Sequence, residues 1–204
     1  MGYIGLTLTN WQKLTDFFRK TKLISQKNIA SALGVPLKHA GSGAYRDTFF
    51  LNHNWVIKFP NSHDSCIQNI QEYFISRALP TYFAFCFLYK LNGIPVLICE
   101  RVDRVKDEKG IMSNRVLDDG YYQSGFTKDK RFVCYDAGNE DDLLNVDAQT
   151  MIDAFNEAPE IRSYGELVDK IEEDWQNHRP NLPVIPYDSM ITLKDYLIKI
   201  NALV

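Results

Sequence analysis

The sequence is short of the features that would assign it quickly. Its four cysteines, Cys66, Cys86, Cys99 and Cys134, are widely spaced and contain no Cys-x-x-Cys pair. Its four histidines, His39, His53, His63 and His178, are equally scattered. This spacing argues against a zinc site and fits reduced, buried thiols. Charge of one sign is missing too: 23 Lys and Arg against 26 Asp and Glu leave a net charge of −3. A nucleic-acid footprint needs a basic surface, so nucleic acid is not the expected partner. The longest apolar run, Tyr82–Tyr89, is far below the roughly 20 residues of a membrane span. Met1–Leu8 has no basic segment of the kind that opens a signal peptide. The expectation is a soluble, cytoplasmic protein with no membrane partner.

What is present suits a packed domain. The 204 residues are 45% hydrophobic and 13% aromatic, enough for one good-sized core or two small ones. Trp11, Leu14, Phe17 and Phe18 recur at helical spacing and predict a helix over Asn10–Lys20. A second helix is predicted over Ser25–Leu33, stopped by Gly34 and Pro36. Leu37–Ala40, Asp47–Leu51 and Trp55–Phe59 read as strands, followed by a helix over Asp64–Leu79. Tyr82–Leu91 and Ile94–Val102 read as strands joined by an Asn92-Gly93 turn.

Beyond Val102 the pattern weakens. Asp103–Lys130 is polar and glycine-punctuated and is expected to be mainly loop. Arg131–Tyr135 reads as a strand. Helices are expected over Asp147–Asn156, over Ser163–Asn177 with Ser163 and Glu166 as a capping box, and over Thr192–Asn201. The expected fold class is α+β. The expected divisions are an N-terminal helical segment (1–36), a sheet-and-helix lobe (37–102), and a polar insert with a reduced, mainly helical part (103–204).

One constellation carries chemistry. Gly41-Ser42-Gly43 precedes a strand, and a later strand ends in Val56-Ile57-Lys58. Glycines let backbone N–H groups approach phosphate, and a fixed lysine faces its charge. Glu72 lies fourteen residues after Lys58, inside the next predicted helix, and is the natural carboxylate to hold that cation. Cys99-Glu100-Arg101-Val102 closes the fifth strand.

In this order the residues resemble the small lobe of protein kinases, nearest to short phage-encoded kinase-like proteins. The resemblance covers about a third of the chain. It implies a five-stranded antiparallel sheet plus one helix, with ATP and magnesium as cofactors. Gly41 and Gly43 are similar to the first two glycines of the phosphate loop, with Tyr45 at its tip and Arg46 where the third glycine would stand. Thr48-Phe49 replaces the usual Val and aromatic pair. Lys58 and Glu72 resemble the lysine–glutamate pair. The backbones of Glu100 and Val102 resemble the hinge that meets adenine, with Cys99 as gatekeeper.

The catalytic half is harder to find. No His-Arg-Asp string occurs, and no Asp-Phe-Gly string. Asp174, Asn177 and Asp188 come in kinase-like order, although Asp174 and Asn177 stand three apart instead of five. Glu140 stands five residues before Asn145, where an aspartate is wanted. The acidic set Asp136, Glu140, Asp141 and Asp142 reads as a solvated loop or a hard-cation site.

The expected function is therefore a degenerate kinase-like protein, or pseudokinase, that binds nucleotide weakly or acts by binding another protein. An active minimal Ser/Thr protein kinase is the first alternative. A phage-type inhibitor of a host protein, holding no nucleotide, is another. Its contact surface would be Tyr121, Tyr122, Phe126 and Phe132. Ser25–Val35 also resembles the first half of a helix-turn-helix DNA reader, but Gly41 and Gly43 fall where its recognition helix should run.

Overall fold

Two apolar strands set the centre of the fold. The computed structural model describes residues 8–24, 26–43, 46–104, 124–136 and 146–179. Numbering elements along the chain, β4 (Cys86–Leu91) and β5 (Ile94–Glu100) are buried almost throughout. Burial on both faces explains their continuous apolar runs, because strands with one wet face alternate instead. Asn92 and Gly93 both take positive φ, at 51° and 72°. That is the two-residue turn whose twist matches an antiparallel hairpin.

The remaining strands extend this pair. β1 (Lys38–Ser42), β2 (Arg46–Phe50) and β3 (Trp55–Pro60) form an antiparallel meander, and β3 pairs with β5. A single helix, α3 (His63–Ala78), joins β3 to β4. Ser62 caps α3 in a reciprocal capping box with Ser65, which starts the helix one residue before the expected Asp64.

The main sheet has six strands, not the five expected. β9 (Glu160–Ile161) pairs parallel to β4, giving the order β1-β2-β3-β5-β4-β9. A second small sheet joins β6 (Asp103–Arg104) and β7 (Ser124–Phe126), from the stretch read mainly as loop, to β8 (Phe132–Cys134), inside the strand expected over Arg131–Tyr135. Gly125 is required there, since a Cβ would sit 2.3 Å from the Asp103 carbonyl oxygen.

Helices cover both faces of the main sheet. On one side α3 carries Cys66, Ile67 and Ile70. Behind it pack Leu14 and Phe18 of α1 (Leu8–Phe18) and Met151, Ile152 and Phe155 of α4 (Ala148–Glu157). On the other side Trp55, Ile57, Phe59, Phe85, Phe87 and Tyr89 meet Ile29 and Leu33 of α2 (Gln26–Leu33) and Leu167 and Ile171 of α5 (Tyr164–His178). Trp175 of α5 stands edge-on to Trp55 at 5.2 Å and to Phe85 at 5.8 Å. Each fully buried side chain of this size contributes about 1.5–3 kcal/mol, so α2 and α5 are integral to the sheet. Among the described residues no helix is long and apolar enough to cross a membrane. The helix expected over Thr192–Asn201 lies outside the described residues.

Candidate nucleotide cleft

Strand register builds the cleft. Thr48 pairs with Lys58, and Lys58 with Leu97; Phe50 pairs with Val56, and Val56 with Cys99. Neighbours in register share a face, so Arg46, Thr48, Phe50, Val56, Lys58 and Cys99 lie on the side that carries α3. Gly41 pairs with Thr48 and so adjoins this row.

Helix α3 supplies the counter-charge. Ser65, Asn69, Glu72 and Ser76 recur at helical spacing and are all buried, a polar stripe inside an otherwise apolar face. The Asn69 amide donates to the backbone oxygens of Lys58 (3.2 Å) and Pro95 (3.0 Å), clamping β3 against β5. Three residues on, Glu72 accepts from the Lys58 ammonium at 2.7 Å. Lys58 is 5% exposed and Glu72 4%.

A third element brings the far wall. Residues 82–84, expected to begin a strand of the main sheet, instead pair with β8, while the Phe85 carbonyl still accepts from the Glu100 N–H of β5 at 3.0 Å. Ala84 N–H donates to the Cys134 carbonyl at 2.7 Å and Cys134 N–H to the Tyr82 carbonyl at 2.8 Å. β4 therefore starts at Cys86. That anchorage delivers the end of β8 to the cleft. The Tyr135 carbonyl accepts from Lys58 at 2.6 Å, and an Asp136 carboxylate oxygen lies 3.4 Å from the ammonium. The Arg46 guanidinium completes the group, one nitrogen donating to Glu72 and the other to Asp136.

Four charges thus meet in one pocket, two of each sign. Burial works against Arg46 and Lys58 keeping their protons, but Glu72 and Asp136 more than compensate and hold both pKa values above their ordinary ranges. Burial likewise works to raise the Asp136 carboxyl, and Lys58 and Arg46 overcome it, leaving it below the usual carboxylate range. Cys86 and Cys99 adjoin the cluster, with sulfurs 2.9 Å apart and Cys99 Sγ 3.8 Å from Glu72. Burial pushes the Cys86 thiol well up, and Glu72 is already committed to two cations. A raised pKa disfavours the thiolate that a metal would need from Cys86.

The other sequence-selected residues scatter. Gly43 begins the connection from β1 to β2, its N–H donating to the Arg46 carbonyl at 2.9 Å, while Tyr45 is outside the described residues. The Glu100 carboxylate turns inward, accepting from the Phe85 N–H at 2.7 Å and pairing with buried Arg131. Burial raises its pKa against the pull of Arg131. Val102 is half-buried beside Gly125. Asp174 accepts from the Tyr89 hydroxyl at 2.7 Å and pairs with Lys170, on the sheet face opposite Lys58. Asn177 is exposed in the last turn of α5. Asp188, Glu140, Asp141, Asp142 and Asn145 lie outside the described residues, as do Tyr121 and Tyr122. Phe126 and Phe132 pack edge-on to each other across β7 and β8, at 5.2 Å.

Sequence reasoning missed three contributors: Arg46, Arg131 and the pairing of Asp136 with Lys58. Asp136 did carry a signal. Asp136-Ala137-Gly138 follows the apolar strand Phe132-Val133-Cys134 as an Asp-x-Gly triplet. Only its middle residue departs from the Asp-Phe-Gly pattern.

No family model matches the chain, and no curated protein matches it. Solved structures with some similarity are the GDP complex of wild-type aminoglycoside 2′-phosphotransferase-IIIa and the GDP and kanamycin complex of APH(2″)-IIia. The first has a TM-score of 0.31 and 14% identity over 93% of this chain and 56% of that one. The second has a TM-score of 0.30 and 14% identity over 94% and 57%. The chain thus spans little more than half the length of either, and scores this low carry no argument. The fold rests on its own features. It is a mixed α+β chain with strand order β1-β2-β3-β5-β4-β9, one helix between β3 and β4, and a β3 lysine held by that helix's glutamate.

Proposed function

We propose that this chain is a kinase-like protein whose cleft binds the phosphates of a nucleotide weakly, transfers none, and serves to bind another protein. The observation that carries the reading is the buried Lys58 ammonium fixed by Glu72. A lysine near a strand end is ordinarily solvated. Two hydrogen-bonding carboxylates and a carbonyl around it make a pre-oriented cation, which is what phosphate recognition needs. Gly41 adds support. It does not take positive φ, and a Cβ on it would meet nothing within 4 Å. Neither backbone conformation nor internal packing requires glycine there, whereas close approach of a ligand does.

Loss of transfer follows from the state of Asp136. Magnesium needs several oxygen ligands in octahedral geometry. Asp136 Oδ1 already carries Arg46 and Lys58, and both Glu72 oxygens are taken, so only Asp136 Oδ2 is left outside the ion pairs of the cluster. The cluster thus offers magnesium a single protein oxygen, on a carboxylate already neutralised by two cations, which is a poor fit for the metal that phosphoryl transfer uses.

The test is thermal unfolding with and without ATP, in EDTA and in magnesium, for the native chain and Lys58→Ala, with labelled phosphate followed in parallel. ATP at about a hundred times its Kd should stabilise the native chain by roughly 2.7 kcal/mol. The gain should disappear in Lys58→Ala, and no label should reach protein. Absence of any shift in the native chain removes the nucleotide from the reading.

An active minimal kinase is the second reading, favoured by Asp136-Ala137-Gly138 standing beside Lys58. This reading requires Arg46 to leave Asp136, and label transferred to protein would establish it.

A further inference from the structure

Arg46 occupies the position where a third glycine would leave the phosphate loop bare. Its guanidinium is instead turned into the cleft and forks between Glu72 and Asp136. The side chain is 11% exposed, so this is an internal contact and not a surface pair. Its strand position fixes the direction. Arg46 pairs with Pro60 at the end of β2, on the face of Thr48 and Lys58, and its carbonyl is held by the Gly43 N–H at 2.9 Å.

The consequence is a substitution of one cation for another. In a metal-dependent phosphate site, a divalent ion sits between an aspartate and the phosphates and neutralises both. Here a monovalent, planar cation sits on that aspartate. It cannot be lost by deprotonation, because the two carboxylates hold its pKa above its ordinary value. With Lys58 it supplies two positive charges that no chelator removes. A guanidinium has five N–H donors in a fork suited to phosphate oxygens, and two of its nitrogens are engaged by the carboxylates described.

We propose that Arg46 stands in for the metal, so that a nucleoside polyphosphate enters this cleft as the metal-free anion and magnesium opposes its binding. This rests on the nucleotide-binding reading above and deepens it. Magnesium on the phosphates would find both Glu72 oxygens and Asp136 Oδ1 already held by Arg46 and Lys58, so it would have to displace a fixed cation to gain more than one protein ligand. Phosphate carried into the cleft bare meets both cations directly.

The experiment is equilibrium dialysis of the full chain against ATP, once in EDTA and once in excess magnesium, at matched ionic strength. The expected result is measurable binding in EDTA, weakened at least threefold by magnesium. Arg46→Ala should reverse the sign, because Glu72 Oε2 and Asp136 then lose the guanidinium and only Lys58 is left to balance two carboxylates: ATP binds in magnesium and little in EDTA. Arg46→Lys keeps the charge without the fork and should retain magnesium-opposed binding at lower affinity. It serves where Arg46→Ala fails to fold. Manganese alone, followed by its paramagnetic effect on water relaxation, should bind Arg46→Ala more tightly than the native chain.

The outcomes separate the two claims. ATP bound by the native chain only in magnesium overturns the role given to Arg46 and leaves the nucleotide reading standing. ATP bound in neither condition overturns both. Equal magnesium dependence in the native chain and Arg46→Ala also overturns it.

Discussion

The four-charge cluster makes a quantitative demand on stability. Take Lys58→Met. The native cluster is neutral: Lys58 and Arg46 against Glu72 and Asp136. Methionine fills most of the lysine's volume but removes one charge and donors at 2.7 Å to Glu72 and 2.6 Å to the Tyr135 carbonyl. Breaking a buried pair on one side costs about 3–5 kcal/mol, because an uncompensated charge is left behind. Glu72→Met should cost a similar amount for the opposite sign. In the double variant both charges go together, and Arg46 and Asp136 remain as a neutral pair. What is lost then is chiefly the second arm of the Arg46 fork, about 1.5–3 kcal/mol for a charge-assisted hydrogen bond. The double variant should therefore be more stable than either single. The coupling from the double-mutant cycle should be at least about 3 kcal/mol. Urea unfolding by circular dichroism measures this, with unchanged m-values as the sign that the same structure unfolds. Since a whole domain is worth only about 5–15 kcal/mol, the single variants should be compared in a stabilising osmolyte. Single-variant costs that simply add in the double, within about 0.5 kcal/mol, would refute the neutral-cluster argument.

Two further outcomes are expected. Asp136 has its pKa depressed in the folded state, so its contribution is complete above the unfolded value of about 3.9 and is lost as pH falls through the lower folded value; the stability difference between the native chain and Asp136→Asn should be constant near neutrality and narrow as pH falls below about 4, and a difference that stays constant there would contradict the assignment. Tyr89→Phe removes the hydroxyl donated to Asp174 at 2.7 Å and should cost about 1–2 kcal/mol without altering ATP affinity, whereas a tenfold loss of affinity would place Asp174 in the cleft after all.

The strands and the Lys58–Glu72 pair were legible for a physical reason. β-Strand alternation and the Asn92-Gly93 turn are local signals, and Glu72 lies only fourteen residues from Lys58 on the next element. Asp136 lies 78 residues from Lys58, and its approach depends on β8 pairing with residues 82–84. That pairing also explains why Tyr82–Ala84 looks like strand in sequence yet leaves the main sheet. Arg46 gave no warning, because a charged residue after a turn is ordinarily solvated. β9 has two residues, too few for any periodicity. The apolar stripe of α5 announced a buried helix but not which face of the sheet it would cover. Asp174, chosen by sequence order, thus falls opposite the lysine it was meant to serve.

The two-residue β9 has a consequence for synthesis. Lys90 of β4 pairs with Glu160, and Leu91 with Ile161, across about seventy residues of intervening chain. The Lys90 N–H is likewise met only by the Pro159 carbonyl, at 2.8 Å. While the chain is still being made, β4 must wait on the ribosome as a bare, strongly apolar edge, the kind of edge that recruits other strands. Productive folding of this molecule therefore ends with a late edge closure, and substitutions at Pro159–Ile161 should act on yield from a growing culture before they act on the stability of the finished protein.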